Sequence, residues 1–193
     1  IVVPTNVKLT AHEVKMIFDD AEARAIIAEE ERMEDINNLG NCLYISSGMG
    51  NENWLSLPDL IATGKNHPYE SKFNEEDVST ILYTSGTTGK PKGVVFQNRS
   101  ILSVAQMILI EMKMTEYSKT LLMMPLSHSA PLHLFFISSL MVGATAVTRE
   151  EFHPLELLKA IEQERITHFF GAPVAYLFAA KILEQQPFDL SSM

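Results

Sequence analysis

A chain of 193 residues, 46% hydrophobic and 20% charged, is long enough to bury a sizeable core and too apolar to be disordered. Fifteen Lys and Arg against 24 Asp and Glu leave a formal charge of -9, which disfavours nucleic acid or an anionic membrane as the main partner but leaves room for a small basic phosphate site. The only cysteine, Cys42, excludes an intrachain disulfide and points to a reducing, cytoplasmic setting.

The chain opens IVVPTN, without an initiator Met or a basic leader, and closes FDLSSM just past a turn. Both ends read as cut, so an excised piece of a longer polypeptide is expected. Thr10 and Glu13 form a T-x-x-E capping box, and Val14, Ile17 and Phe18 mark one face of the helix that follows. Ala23 to Ala28 reads as a short apolar strand. The acidic run Glu29 to Asp35 is expected to be a solvated surface helix; it lacks the ligand spacing and glycine turn of a calcium loop. Cys42 to Ile45 reads as a second strand, with Cys42 a buried structural thiol. Ser47 to Asp77 is the least regular stretch, a connection in which Trp54 is expected to anchor a core.

From Thr80 the pattern tightens. Thr80 to Thr84 is an expected strand, followed by a Gly-rich loop and a strand at Val94 to Phe96. Asn98 is a plausible N-cap for a helix with Ile101, Leu102, Ala105, Ile108, Leu109 and Met112 on one face. Thr120 to Thr148 carries no Asp, Glu, Lys or Arg, but Pro125, Ser127, His128, Pro131, His133 and Gly143 divide it, so a buried strand (Leu121 to Met124), loop, helix (Leu134 to Val142) and strand (Ala144 to Thr148) fit better than a transmembrane segment. Pro154 opens a further helix, Thr167 to Phe170 is a strand, and Val174 to Leu183 a final helix. Repeated strand–helix–strand units predict an α/β fold of doubly wound, mostly parallel sheets covered by helices. The expected divisions are 1–46, a first α/β segment; 47–77, an irregular connection; and 78–193, a phosphate-loop and pocket segment.

Tyr83 to Val94 reads YTSGTTGKPKGV. Its three glycines let successive backbone N–H groups converge on an anion, its four consecutive-region hydroxyls donate to phosphate oxygens or bind Mg²⁺, and Lys90 and Lys92 supply positive charge in an acidic chain. It is not a Walker A loop: Pro91-Lys92-Gly93 stands where Gly86 would require Gly-Lys-Ser/Thr.

All twelve positions from Ile81 to Lys92 are compatible with the signature loop of the adenylate-forming superfamily, which includes fatty acyl-CoA synthetases, aryl-CoA ligases, luciferases and peptide-synthetase adenylation domains. Val3-Pro4-Thr5-Asn6, Pro125-Leu126-Ser127-His128-Ser129, Gly143-Ala144-Thr145 and Gly171-Ala172-Pro173 resemble further segments of that family, so the resemblance covers essentially the whole chain. It is most like the N-terminal AMP-binding domain of a bacterial-type long-chain fatty acid–CoA ligase.

The resemblance implies ATP-dependent activation of a carboxylic acid to an acyl-adenylate, then thioester formation with coenzyme A. By position, Thr84 would contact Mg²⁺ and phosphate, and Ser85, Gly86, Thr87, Thr88, Gly89 and Lys92 would hold the β- and γ-phosphates; Lys90 is a weaker candidate. His128 would be the catalytic residue, at the mouth of an acyl pocket to which Ala130, Gly171 and Ala172 also belong. Leu132, Leu134, Phe135 and Phe136 could line that pocket, while His133 is expected in the core or at a helix start. Amino-acid-activating relatives place an Asp nearby to pair with the substrate ammonium, and the carboxylate-free Thr120–Thr148 stretch fits a fatty or aryl acid better. Ala130-Pro131 departs from the family's usual aromatic and Gly. The family's adenine-packing segment, its Y-G-x-T-E and T-G-D stretches and its C-terminal domain with a catalytic Lys are not in this sequence. The fragment by itself is therefore expected to be nearly inactive, completed by the missing remainder of its own chain. The alternatives are a non-catalytic nucleotide-binding or interaction module and an amino-acid adenylation domain.

Overall fold

The computed structural model describes residues 1–65, 72–84 and 90–193. They fall into two units, Ile1–Val95 and Phe96–Met193, each with its own hydrophobic cluster.

In the first unit, helix α1 (Ala11–Asp20) starts on the predicted capping box. The Thr10 N–H donates to Glu13 Oε2 at 2.8 Å, and the Glu13 N–H donates to Thr10 Oγ1 at 3.3 Å. Strands β1 (Ala25–Ala28), β2 (Leu43–Ser46) and β3 (Leu55–Ser56) form a parallel sheet in that order, with Ala25 opposite Leu43 and Ile45 opposite Leu55. The acidic run makes only a 3₁₀ turn over Glu30–Arg32, not the expected surface helix. The apolar residues beyond it, Met33, Ile36 and Leu39, recur every third position, which suits tight turns rather than a 3.6-residue helix. Arg32 helps hold this stretch by donating to the Val7 and Leu9 carbonyls at 2.8 and 2.7 Å.

The described part of Ser47–Asp77 holds regular structure. It contains β3 and helix α2 (Leu57–Thr63), whose start is capped by the Ser56 hydroxyl accepting from the Asp59 N–H, with Pro58 in the first turn. Trp54 is a core anchor, 2% exposed, edge-on to Tyr44 at 5.0 Å and clustered with Val14, Met33, Ile36 and Leu39. Cys42 packs against this cluster but is half-buried, not fully enclosed.

Strand β4 (Val78–Thr84) pairs with β5 (Lys92–Gln97) in a two-stranded sheet. Val2 bridges to Thr80 in parallel, its N–H donating to the Ser79 carbonyl and its carbonyl accepting from the Ile81 N–H.

The second unit contains α3 (Asn98–Glu111), β6 (Lys119–Leu122), a π-helical turn (Ala130–Phe136) running into α4 (Ile137–Val142), β7 (Thr145–Thr148), α5 (Pro154–Glu164), β8 (His168–Phe169) and α6 (Pro173–Leu183). Asn98 is the first helical residue of α3, and Gln97 occupies the cap position. The strands are parallel and ordered β7-β6-β8, with Thr120 opposite both Ala146 and His168. Along β6 successive side chains point to opposite faces. Leu121 joins Leu157, Leu158, Ile161, Ala175 and Ala179 of α5 and α6 in a buried cluster. Thr120 faces α4, its Oγ1 accepting from Ser139 Oγ at 2.9 Å, while Ser138 Oγ reaches the Ala105 carbonyl of α3. Helices thus cover both faces, as predicted for a doubly wound fold. Gly143 ends α4 at φ +73°, where a side chain would be strained. Among the described residues no helix is long and apolar enough to cross a membrane.

Candidate functional site

The two groups of predicted site residues lie in different units. In the first, β4 delivers Thr84 at its carboxyl end and β5 begins at Lys92, with both side chains exposed. An exposed hydroxyl and an exposed ammonium at adjoining strand ends are donors suited to phosphate oxygens. Ser85, Gly86, Thr87, Thr88 and Gly89, the centre of the predicted phosphate loop, lie outside the described residues.

What supports the strand ends is visible. The Tyr83 hydroxyl donates to Asp20 Oδ2 at 2.6 Å, joining the last residue of β4 before Thr84 to the last residue of α1. Desolvation, and then the hydrogen bond to the Asp20 carboxylate, push the Tyr83 hydroxyl up to about 12. Gly93 lies against the same ring: a Cβ there would sit 3.0 Å from Tyr83 Cζ and 2.9 Å from Ile81 Cγ2. Glycine is needed here for space. Sequence reasoning missed the Tyr83–Asp20 bond because the two partners are 63 residues apart and no local pattern links them.

In the second unit, the order β7-β6-β8 creates a switch point. From β6 the chain crosses to one side to form β7, then returns to the other side for β8, so the loops leaving β6 and β8 diverge. Crevices at the carboxyl ends of such strands are where open α/β sheets take ligands. The loop after β6 carries His128 and ends at Ala130, the first residue of the π-helical turn; the loop after β8 carries Gly171 and Ala172. His128 is exposed, its N–H donating to the Pro125 carbonyl at 3.1 Å. Gly171 approaches Phe169 so closely that a Cβ would lie 2.7 Å from its ring, and Ala172 caps α6, accepting from the Ala175 N–H at 2.8 Å. Phe135 of the π-helical turn stacks on Phe170 of the loop after β8 at 5.0 Å.

The helix expected at Leu134 begins earlier, at Ala130, as a π turn. Pro131 near its start has no N–H to donate, and the turn widens before α4 takes over. The turn buries His133, 3% exposed, as expected of a core histidine. Its Nδ1 lies 3.2 Å from Ser129 Oγ and its ring tilts against Phe96 at 4.6 Å. His133 Nε2 and Ser127 Oγ are buried without a hydrogen-bond partner among the described residues. Burial lowers the His133 pKa from its ordinary value, favouring the neutral ring.

Comparison with known proteins gives the family. A family model described as AMP-binding enzyme matches residues 1–193. Feruloyl-CoA synthase of an Amycolatopsis species is 28% identical over 193 residues, covering 99% of this chain and 37% of the relative. The long-chain-fatty-acid–CoA ligase of Bacillus subtilis is 27% identical over 230 residues, covering 100% and 40%. The crystal structure of the anthranilate CoA ligase AuaEII in complex with anthranoyl-AMP superposes with a TM-score of 0.86 at 26% identity, covering 100% of this chain and 39% of that one. The chain thus spans about two fifths of the length of these relatives. With the match running from the first residue to the last, the chain belongs to the AMP-binding enzyme family.

Proposed function

We propose that this chain is the phosphate-holding and acyl-pocket part of an ATP-dependent acid–thiol ligase. In the reaction, a carboxylate oxygen attacks the α-phosphorus of ATP, giving an acyl-adenylate and pyrophosphate; the thiol of coenzyme A then displaces AMP. The observation that carries this reading is the YTSGTTGKPKGV run set between paired strands, with Thr84 and Lys92 exposed at its two ends.

The chemistry asks for neutralisation of a polyphosphate leaving group and for an oriented acid. In this reading Thr84, Ser85, Gly86, Thr87, Thr88, Gly89 and Lys92 bind the β- and γ-phosphates. Thr84 would offer a hydroxyl to the Mg²⁺ that accompanies ATP. His128 stands at the pocket mouth, near the reacting carboxylate, and Ala130, Gly171 and Ala172 shape the pocket. The acid is fatty or aryl: the Thr120–Thr148 stretch has no carboxylate to pair with a substrate ammonium, and the relatives named above are ligases of feruloyl, long-chain fatty and anthranilate groups. The remainder of the polypeptide supplies the other half of the nucleotide site, so the 193-residue piece alone binds ATP weakly and does not turn over.

The test is ATP–pyrophosphate exchange by the full-length protein against fatty, aryl and amino acids in parallel. Exchange driven by fatty or aryl acids supports the reading. Exchange driven only by amino acids makes it an adenylation domain, and none with any acid makes it a non-catalytic module. Thioester formation by the isolated piece would sink the expectation of inactivity.

A further inference from the structure

We propose that Tyr83 is a positioning residue for nucleotide binding: clamped between Asp20 and Gly93, it holds together the ends of β4 and β5 that carry Thr84 and Lys92. The proposal rests on the reading of those two residues as phosphate contacts.

Three observations converge on the clamp. First, the head of β5 lies open: every residue from Lys92 to Val95 is exposed, and this stretch is held by its pairing with β4. The Tyr83 ring lies so close to Gly93 that a methyl there would be 3.0 Å from Cζ and 3.2 Å from the hydroxyl oxygen. Only a glycine lets the ring reach across the strand pair. Second, the ring is fixed at its far end by the 2.6 Å bond to Asp20, a charge-assisted hydrogen bond from another element of the unit.

Third, Asp20 is placed against local preference. An acidic residue at the last position of a helix faces the negative end of the helix dipole. The lysine of the same helix, Lys15, pairs with Asp19 instead. What compensates the Asp20 carboxylate is the Tyr83 hydroxyl. Positions that break a local rule while meeting a specific distant partner are where a structure serves function rather than stability.

The variants Tyr83→Phe, Asp20→Asn, Asp20→Leu and Gly93→Ala of the full-length protein separate the clamp from general stabilisation. Tyr83→Phe keeps the ring and removes the tether. It is expected to raise the KM for ATP in acid-dependent exchange roughly tenfold, the lower end of the scale of one hydrogen bond to a charged partner, with the KM for the acid unchanged. Asp20→Leu should match it, whereas Asp20→Asn, which keeps an acceptor oxygen, should stay within about twofold of wild type. Gly93→Ala, which displaces the ring, should behave like Tyr83→Phe. An unchanged KM for ATP, or equal rises in both KM values, overturns the proposal.

Amide hydrogen exchange gives a readout free of catalysis. The clamp predicts faster exchange in β4 and β5 of Tyr83→Phe, with α3 unchanged. If wild type shows no acid-dependent exchange of pyrophosphate, the functional reading fails, and amide exchange alone decides the clamp. Identical β4–β5 protection in wild type and variant then overturns it.

Discussion

His133→Leu should leave stability almost unchanged at pH 8 and raise it relative to wild type in acid. The substitution removes the imidazole's bond to Ser129 Oγ and its contact with Phe96. Those losses are about 1 kcal/mol for a neutral hydrogen bond and about 0.5–1.5 kcal/mol for the ring contact. Against them stands the removal of Nε2, a buried nitrogen without a partner, whose desolvation costs about 1–3 kcal/mol. The terms nearly cancel, so at pH 8 the net change is within about 1 kcal/mol. Below the ordinary histidine value of 6.5 the balance tilts. Burial depresses the folded-state pKa, so the unfolded chain takes up the proton first. Stability present above pH 6.5 is lost as pH falls toward the folded-state value, with a slope of at most one proton, about 1.4 kcal/mol per pH unit. Leucine has no such slope. Urea unfolding followed by far-ultraviolet circular dichroism at pH 8, 7, 6 and 5 reads the difference directly. Parallel stability profiles for wild type and variant would refute the reasoning, because they would mean that His133 titrates alike in both states.

Two further substitutions test the second unit. Gly143→Ala places a Cβ at φ +73° with nothing within 4 Å to clash, so its cost is backbone strain alone, about 1–2 kcal/mol in thermal or urea unfolding, and Gly143→Asn should cost less. His128→Ala in the full-length protein should lower kcat/KM for the acid roughly tenfold to a hundredfold through lost orientation, while the KM for ATP stays constant; steady-state exchange kinetics with each substrate varied in turn separates the two.

Sequence was most informative where one residue type has one physical use. The T-x-x-E box at Thr10 fixed the start of α1, Gly143 marked the end of α4, and alternating strand and helix signals implied the parallel, doubly covered sheet. It was least informative where the deciding partner is distant or the element is short. Glu29–Asp35 resembles a surface helix by charge, but Met33, Ile36 and Leu39 must all be buried at a spacing of three, which a 3.6-residue repeat cannot align on one line. Ser56-Leu57-Pro58-Asp59 held a capping serine and a first-turn proline that the surrounding polar residues obscured. The π turn begins at a residue, Ala130, that reads as loop because Pro131 follows it. For the site, the glycines, hydroxyls and lysines of Tyr83–Val94 suggested a phosphate loop, whereas only the family resemblance pointed to His128. The Tyr83–Asp20 bond and the β6–β8 switch point depend on strand order, which no local pattern encodes.

The central claim, that the run from Thr84 to Lys92 grips the β- and γ-phosphates of ATP, is tested most directly by calorimetric titration of the full-length protein and its Lys92→Ala variant with Mg·ATP, pyrophosphate and AMP. Lys92 is exposed at the head of β5, so its removal should spare the fold. Affinity for ATP and pyrophosphate should fall roughly tenfold to a hundredfold in the variant, while AMP binding is unchanged. Equal loss for AMP, or no loss for pyrophosphate, would contradict that claim.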